Sequence, residues 1–190
     1  MMINWGNFAA FFKTGVPPVV IYTSLLVAFI SVYYGVLSNN VKNKKHFSLW
    51  VLLVEYMFMV VCSTIICRGV QSFKFARLEL TPFWTYKAVL AHIPGVSVWD
   101  IILNVVLFIP LGFLVKLLFP HMRLRMMALI AICCSLFIEA NQYLFEKGIA
   151  QIDDVMHNSI GAMIGWGVAL ICVNGFKKFK KFISPSRTKE

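Results

Sequence analysis

Three apolar stretches of this 190-residue chain carry polar side chains at helical spacing, and these are the residues whose types could do chemistry. Ser135, Glu139 and Gln142 fall at i, i+4 and i+7, which places them on one face of a helix. The next stretch begins Gln151-Ile152-Asp153-Asp154, and Asp154, Asn158, Gly161 and Gly165 form a second stripe at i, i+4, i+7 and i+11. Asn104 and Pro110 interrupt a third apolar run. Charged and amide groups in such surroundings are expensive to desolvate, so each needs a reason. Amides can bond one helix to another. A carboxylate pair such as Glu139 and Asp154 does that poorly without a cation. It can instead hold a cation, act as acid and base, or ligate a metal. Arg77 and Arg68 are the nearest candidate counter-ions. Asp153 stands at the mouth of this group, where it can face water, and His157 reads as a surface residue at a helix start. No histidine, serine or cysteine has the spacing of a nucleophile and its base, so no catalytic residue is assigned.

These residues need long buried helices to hold them, and the composition supplies little else. Hydrophobic residues make up 59% of the chain and charged ones only 14%, against roughly a quarter charged in ordinary globular proteins. Mean hydropathy is +0.77. About 20 apolar residues cross a bilayer core as a helix, and five segments qualify: 18–38, 47–67, 100–119, 124–145 and 154–176. The expected fold is all-α, a polytopic transmembrane bundle of about five helices forming one integral membrane domain over residues 1–190. Pro17 and Pro18 open the first helix, and Pro120 closes the third. Pro110 should kink the third by removing the hydrogen bond to the Val106 carbonyl, leaving a break that helps to line the pocket. The long connection 68–99, between helices 2 and 3, is rich in aromatics and prolines and suits the head-group region. Glu55 stands alone within the second span, with Lys116 its candidate partner by depth. Cys62, Cys67, Cys133, Cys134 and Cys172 lie in or beside apolar runs without a Cys-x-x-Cys pair or a nearby histidine, and read as small hydrophobes.

The net charge of +10 comes from basic residues clustered at the ends of apolar runs, a placement that fits lipid head groups and not nucleic acid. Lys42, Lys44, Lys45, Lys116, Arg123, Arg125 and the tail from Lys177 to Lys189 place 12 of the 18 on one side of a five-span protein. The positive-inside rule makes that side cytoplasmic and leaves the N-terminus outside. At ~1.5 Å per residue, Glu139 lies about 9 Å below the outer end of its helix, and Asn104 and Asn158 about 6 Å below theirs. All then occupy the outer leaflet, in a polar pocket that opens outward.

Three stretches resemble the VanZ-like family of bacterial membrane proteins. Leu80-Thr81-Pro82-Phe83 is similar to its polar-Pro-Phe signature, and Asn104 to Gly112 to its Asn-x-x-x-Phe-x-Pro-x-Gly helix. Ser135, Glu139, Gln142, Asp153-Asp154-Val155 and Asn158-Ser159-Ile160-Gly161 resemble its Ser-x-x-x-Glu-x-x-Gln, acidic-Asp-Val and Asn-x-x-Gly elements. The resemblance covers a core of about 77–166. Many members carry an Arg and an Asp where this chain has Gly148 and Gln151, so Arg77 or Lys147 would have to supply that cation here. The resemblance implies a multi-pass protein of the bacterial cytoplasmic membrane that lowers susceptibility to teicoplanin, a lipoglycopeptide acting outside the cell.

The function expected is therefore a non-enzymatic one at the cell envelope, with membrane lipids and a lipoglycopeptide or lipid-linked wall precursor as partners. The polar pocket would comprise Arg77, Asn104, Pro110, Ser135, Glu139, Gln142, Asp153, Asp154 and Asn158, with no metal or cofactor. Two alternatives stay open: a membrane enzyme using Glu139 and Asp154 on lipid-linked precursors, and a small transporter.

Overall fold

The computed structural model describes residues 18–37, 42–66 and 77–183. Its helices are α1 (Pro18–Leu37), α2 (Lys42–Val61, continued by a π-helical turn over Cys62–Ile66), α3 (Trp84–Leu90), α4 (Val98–Leu118), α5 (Leu124–Leu144) and α6 (Ile152–Ile183). Four stretches are long and apolar enough to cross a membrane, Lys44–Ile66, Val98–Leu118, Leu124–Leu144 and Ile152–Phe179, and Val20–Tyr34 is a shorter apolar helix. Their outer faces carry Phe29, Phe137 and Ile171, all largely exposed. A helix that satisfies its own backbone and shows such side chains outward has lipid as its solvent. The chain is a multi-pass membrane protein with a helical bundle of about five helices.

Packing centres on α4 and α6, with Phe108, Met127, Ala131 and Ala162 fully buried between α4, α5 and α6. The glycines set this seam. A Cβ on Gly161 would lie 2.0 Å from the Val105 carbonyl oxygen, one on Gly165 1.9 Å from that of Ile109, and one on Gly112 1.8 Å from that of Ala162. The two backbones therefore touch without side chains between them, as small residues in membrane helices permit. Because Val105 meets Gly161 and Ile109 meets Gly165, α4 and α6 run parallel, with α5 returning between them.

The structure departs from the sequence reading in three places. First, the described part of the 68–99 connection is folded. Strand β1 (Arg77–Glu79) pairs in parallel with β2 (Ile149–Gln151), with Leu78 opposite Ala150, and α3 follows. Second, α4 continues unbroken through Pro110, whose side is exposed. The Tyr56 hydroxyl donates to the carbonyl of Leu107 in the turn before it, supplying α4 with a hydrogen bond from outside the helix. Third, Lys116 does not turn to Glu55. It is buried, donates to the carbonyls of Pro120 (2.6 Å) and Met122 (3.3 Å), and lies 4.5 Å from the centre of the Trp166 ring. A lysine at a helix C-terminus finds the unpaired carbonyls there closer at hand than a carboxylate within another span.

Candidate functional site

The π-helical end of α2, the C-terminal end of α5 and the first turns of α4 and α6 meet at one end of the bundle. The Gln142 side-chain amide donates to the Thr64 carbonyl across the α5–α2 contact (3.4 Å). The Ser97 N–H donates to the Asp100 carboxylate (2.6 Å) and caps α4 there. The β1–α3 segment lies over this end, and one buried side chain fastens it.

That side chain is Asp153, only 2% exposed where the sequence suggested a residue facing water. Its carboxylate accepts the N–H of Phe83 (2.7 Å) and the N–H of Thr85 (2.8 Å) at the start of α3. Free N–H groups at a helix start pair well with a carboxylate. Phe83 occupies the N-cap with φ of 62°, a left-handed conformation that costs a bulky residue about 1–2 kcal/mol. The two charge-assisted bonds, worth roughly 1.5–3 kcal/mol each, can offset it. Two motifs far apart in sequence, Pro82-Phe83 and Asp153-Asp154-Val155, are thus two halves of one contact.

From Asp153 a network runs to Glu139. The Thr85 hydroxyl donates to the Gln151 side-chain oxygen (3.0 Å), and the Gln151 backbone N–H donates to Glu139 Oε2 (2.9 Å). Glu139 is 6% exposed and, with Gln151, borders a largely apolar cavity of about 210 Å³ lined by Leu78, Leu80, Leu136, Tyr143 and Val155. One turn deeper, the Asn158 side-chain amide donates to Ser135 Oγ (2.7 Å), while Asn158 Oδ1 is buried without a hydrogen-bond partner among the described residues. Asp154 is 20% exposed and stands 4.0 Å from Nδ1 of the buried His157, whose Nε2 is 2.9 Å from the Tyr86 hydroxyl.

Ser135 and Asn158 are therefore bonded directly, Glu139 and Asp153 are joined through Gln151 and Thr85, and Gln142 braces the same end. Asn104 is half-buried on α4, and Pro110 faces outward. Arg77 pairs through its backbone with Ile149, while its side chain, and all of Arg68, lie outside the described residues. Among the described residues, no three His, Cys, Asp or Glu side chains converge as a metal site needs.

A model of the VanZ/LLP1 family matches residues 19–173. The chain belongs to the VanZ/LLP1 family. The match takes in α1 and α2 as well as the polar end. No curated protein and no solved structure matches the chain. Within this VanZ/LLP1 protein, sequence reasoning missed Thr85, Tyr86 and His157. For His157 a signal existed, since i+3 from Asp154 and i+4 from Asp153 are both helical contact distances. For Thr85 and Tyr86 there was none, because their partners Asp153, Gln151 and His157 lie 66 to 71 residues away in sequence.

Proposed function

We propose that this VanZ/LLP1 protein binds an amphipathic envelope ligand at the polar end of its bundle, without catalysing a reaction on it. The polar end would face outward from the cytoplasmic membrane of a bacterium. The observation that carries this reading is the apolar cavity that Glu139 helps to line. At about 210 Å³ it is smaller than the ~300–1,000 Å³ of a site that encloses a whole small molecule. It suits one part of a larger ligand, an acyl chain with a basic group beside it, as a lipoglycopeptide such as teicoplanin or a lipid-linked wall precursor would offer. Glu139 meets the basic group, and Asp154 adds a second carboxylate at the same end.

Glu139→Gln keeps the shape and removes the charge. Loss of one charge-assisted contact, about 1.4 kcal/mol or more, weakens ligand affinity about tenfold. In a susceptible host on teicoplanin, cells carrying Glu139→Gln should lose most of the protection given by the parent at equal membrane abundance. If Glu139 and Asp154 serve one ligand, adding Asp154→Asn should make little further difference. Equal protection by parent and Glu139→Gln defeats the proposal.

The outward placement rests on the basic residues at the opposite end of the bundle. In a variant freed of native cysteines, Asn43→Cys should resist a membrane-impermeant thiol reagent in intact cells and react once they are opened. Labelling in intact cells would invert the orientation.

A further inference from the structure

The outward face of α5 determines how the cavity is reached. Leu129, Ile132, Leu136, Ala140 and Tyr143 fall at i, i+3, i+7, i+11 and i+14, a single stripe along the helix. All five are exposed and lie within the span Leu124–Leu144. Leu129 and Ile132 therefore face lipid. Leu136, Ala140 and Tyr143 continue the same stripe, yet they form one wall of the cavity. The cavity thus opens sideways into the membrane. It follows α5 from Leu136 to Tyr143, seven residues or about 10 Å along the axis. Ala140, a small residue between two large ones, leaves that wall hollow at its middle. Leu78 and Leu80, more than half exposed, stand at the other lip. The inner wall is closed, with Ala150 and Val155 both buried.

We propose that the cavity is a lateral slot that holds one acyl chain of a phospholipid from the surrounding leaflet. The slot is continuous with the lipid-facing stripe of α5, so the chain enters without crossing water. An acyl chain runs from the head groups toward the middle of the bilayer, and so does a groove along a membrane-spanning helix. Tyr143 stands at the end of the span, where aromatic side chains meet head groups, and Leu136 lies deeper in hydrocarbon. Methylene groups that fill an apolar hollow gain dispersion contacts that its lining otherwise lacks. The lipid shares this cavity with the binding function proposed above but does not depend on it. An envelope ligand of that kind would enter by displacing the chain.

The test places the full chain in nanodiscs of phosphatidylcholine carrying a diazirine midway along one acyl chain. Light expels nitrogen, the carbene left behind inserts into the bonds it meets, and mass spectrometry locates the adducts. Phe137, 60% exposed and outside the cavity lining, reports ordinary contact with the bilayer. Val155 and Ala150 are 7% and 3% exposed, so only a chain inside the slot reaches them. Adducts at Val155 should accompany those at Phe137. A diazirine moved toward the head group should shift the inner adducts from Val155 to Ala150, which precedes α6. Ala140→Trp fills the hollow from an exposed position. It should lower the inner adducts about tenfold or more, as exclusion of two methylene groups implies, and leave Phe137 labelled as before. Absence of inner adducts in the parent, or adducts undiminished by Ala140→Trp, overturns the slot. If that variant does not fold, inner adducts in the parent that ignore the diazirine's position overturn it instead. Teicoplanin added to the parent separates the two readings of the cavity. Inner adducts that persist at saturating teicoplanin support the lipid slot and remove the drug from it. Teicoplanin binding to a protein that gives no inner adducts does the reverse.

Discussion

Gly112→Val should abolish accumulation of the folded protein in the membrane, whereas Gly167→Ala and Gly175→Ala on α6 should be tolerated. The difference follows from what a side chain meets at each position. A Cβ at residue 112 would lie 1.8 Å from the Ala162 carbonyl oxygen, 2.7 Å from its carbon and 2.9 Å from the Trp166 nitrogen. All three atoms are backbone, so no rotamer change relieves the contact, and α4 must move bodily away from α6. Overpacking of a core site costs about 1–3 kcal/mol where side chains can adjust, and here they cannot. Separation also weakens the contacts made by Gly161 and Gly165, because the two helices are rigid. Total stabilities of only about 5–15 kcal/mol leave little room for such a loss. At Gly167 and Gly175 nothing lies within 4 Å of a new Cβ, and alanine gains up to about 1 kcal/mol in helix propensity. Membrane abundance and the midpoint of thermal unfolding in detergent measure the contrast. A Gly112→Val protein that melts with the parent would mean that α4 and α6 do not meet backbone to backbone.

This seam was partly legible in sequence. Gly161 and Gly165 lie four apart on the stripe of Asp154 and Asn158, which announced a close helix approach, but nothing announced which helix would approach. That choice needed Gly112, eight residues after Asn104, to be seen facing Ala162. The spans were also legible, because apolar runs of about 20 residues have few other uses in a chain this poor in charge. The order Ser135, Glu139, Gln142 read correctly as one face, and Ser135, Glu139 and Gln142 are all buried. What stayed hidden was everything created by contact across long sequence separations. Asp153 and Asp154 are adjacent acids, and only the position of α3 decides that the first is buried and bonded while the second is partly exposed. Pro110 announced a break by its missing N–H, but helical conformation runs on past it to Leu118.

Asp153→Asn should release the β1–α3 segment from the bundle, while Asp154→Asn should leave its stability nearly unchanged. Asp153 holds two backbone N–H groups at 2.7 and 2.8 Å, and a carboxylate supplies an acceptor oxygen to each. Asparagine supplies one oxygen and one NH₂ group, so one N–H of α3 would face another donor in a buried place. Losing a charge-assisted bond and leaving a donor unpaired costs about 2–4 kcal/mol together. The left-handed conformation of Phe83 would then lack its compensation, and the local loss exceeds what a seven-residue helix can withstand. The effect should be confined, because α4, α5 and α6 pack through Phe108, Met127 and Ala162 without help from α3. Amide exchange in residues 83–91 should therefore quicken by about 30-fold or more, as about 2 kcal/mol of lost local stability implies, while α4 keeps its protection. Asp154, 20% exposed, makes neither bond, so Asp154→Asn should change exchange in α3 little. Release of α3 also withdraws Thr85 from Gln151 and Tyr86 from His157. Unchanged exchange across 83–91 in Asp153→Asn would show that the Asp153 carboxylate does not hold α3 in place.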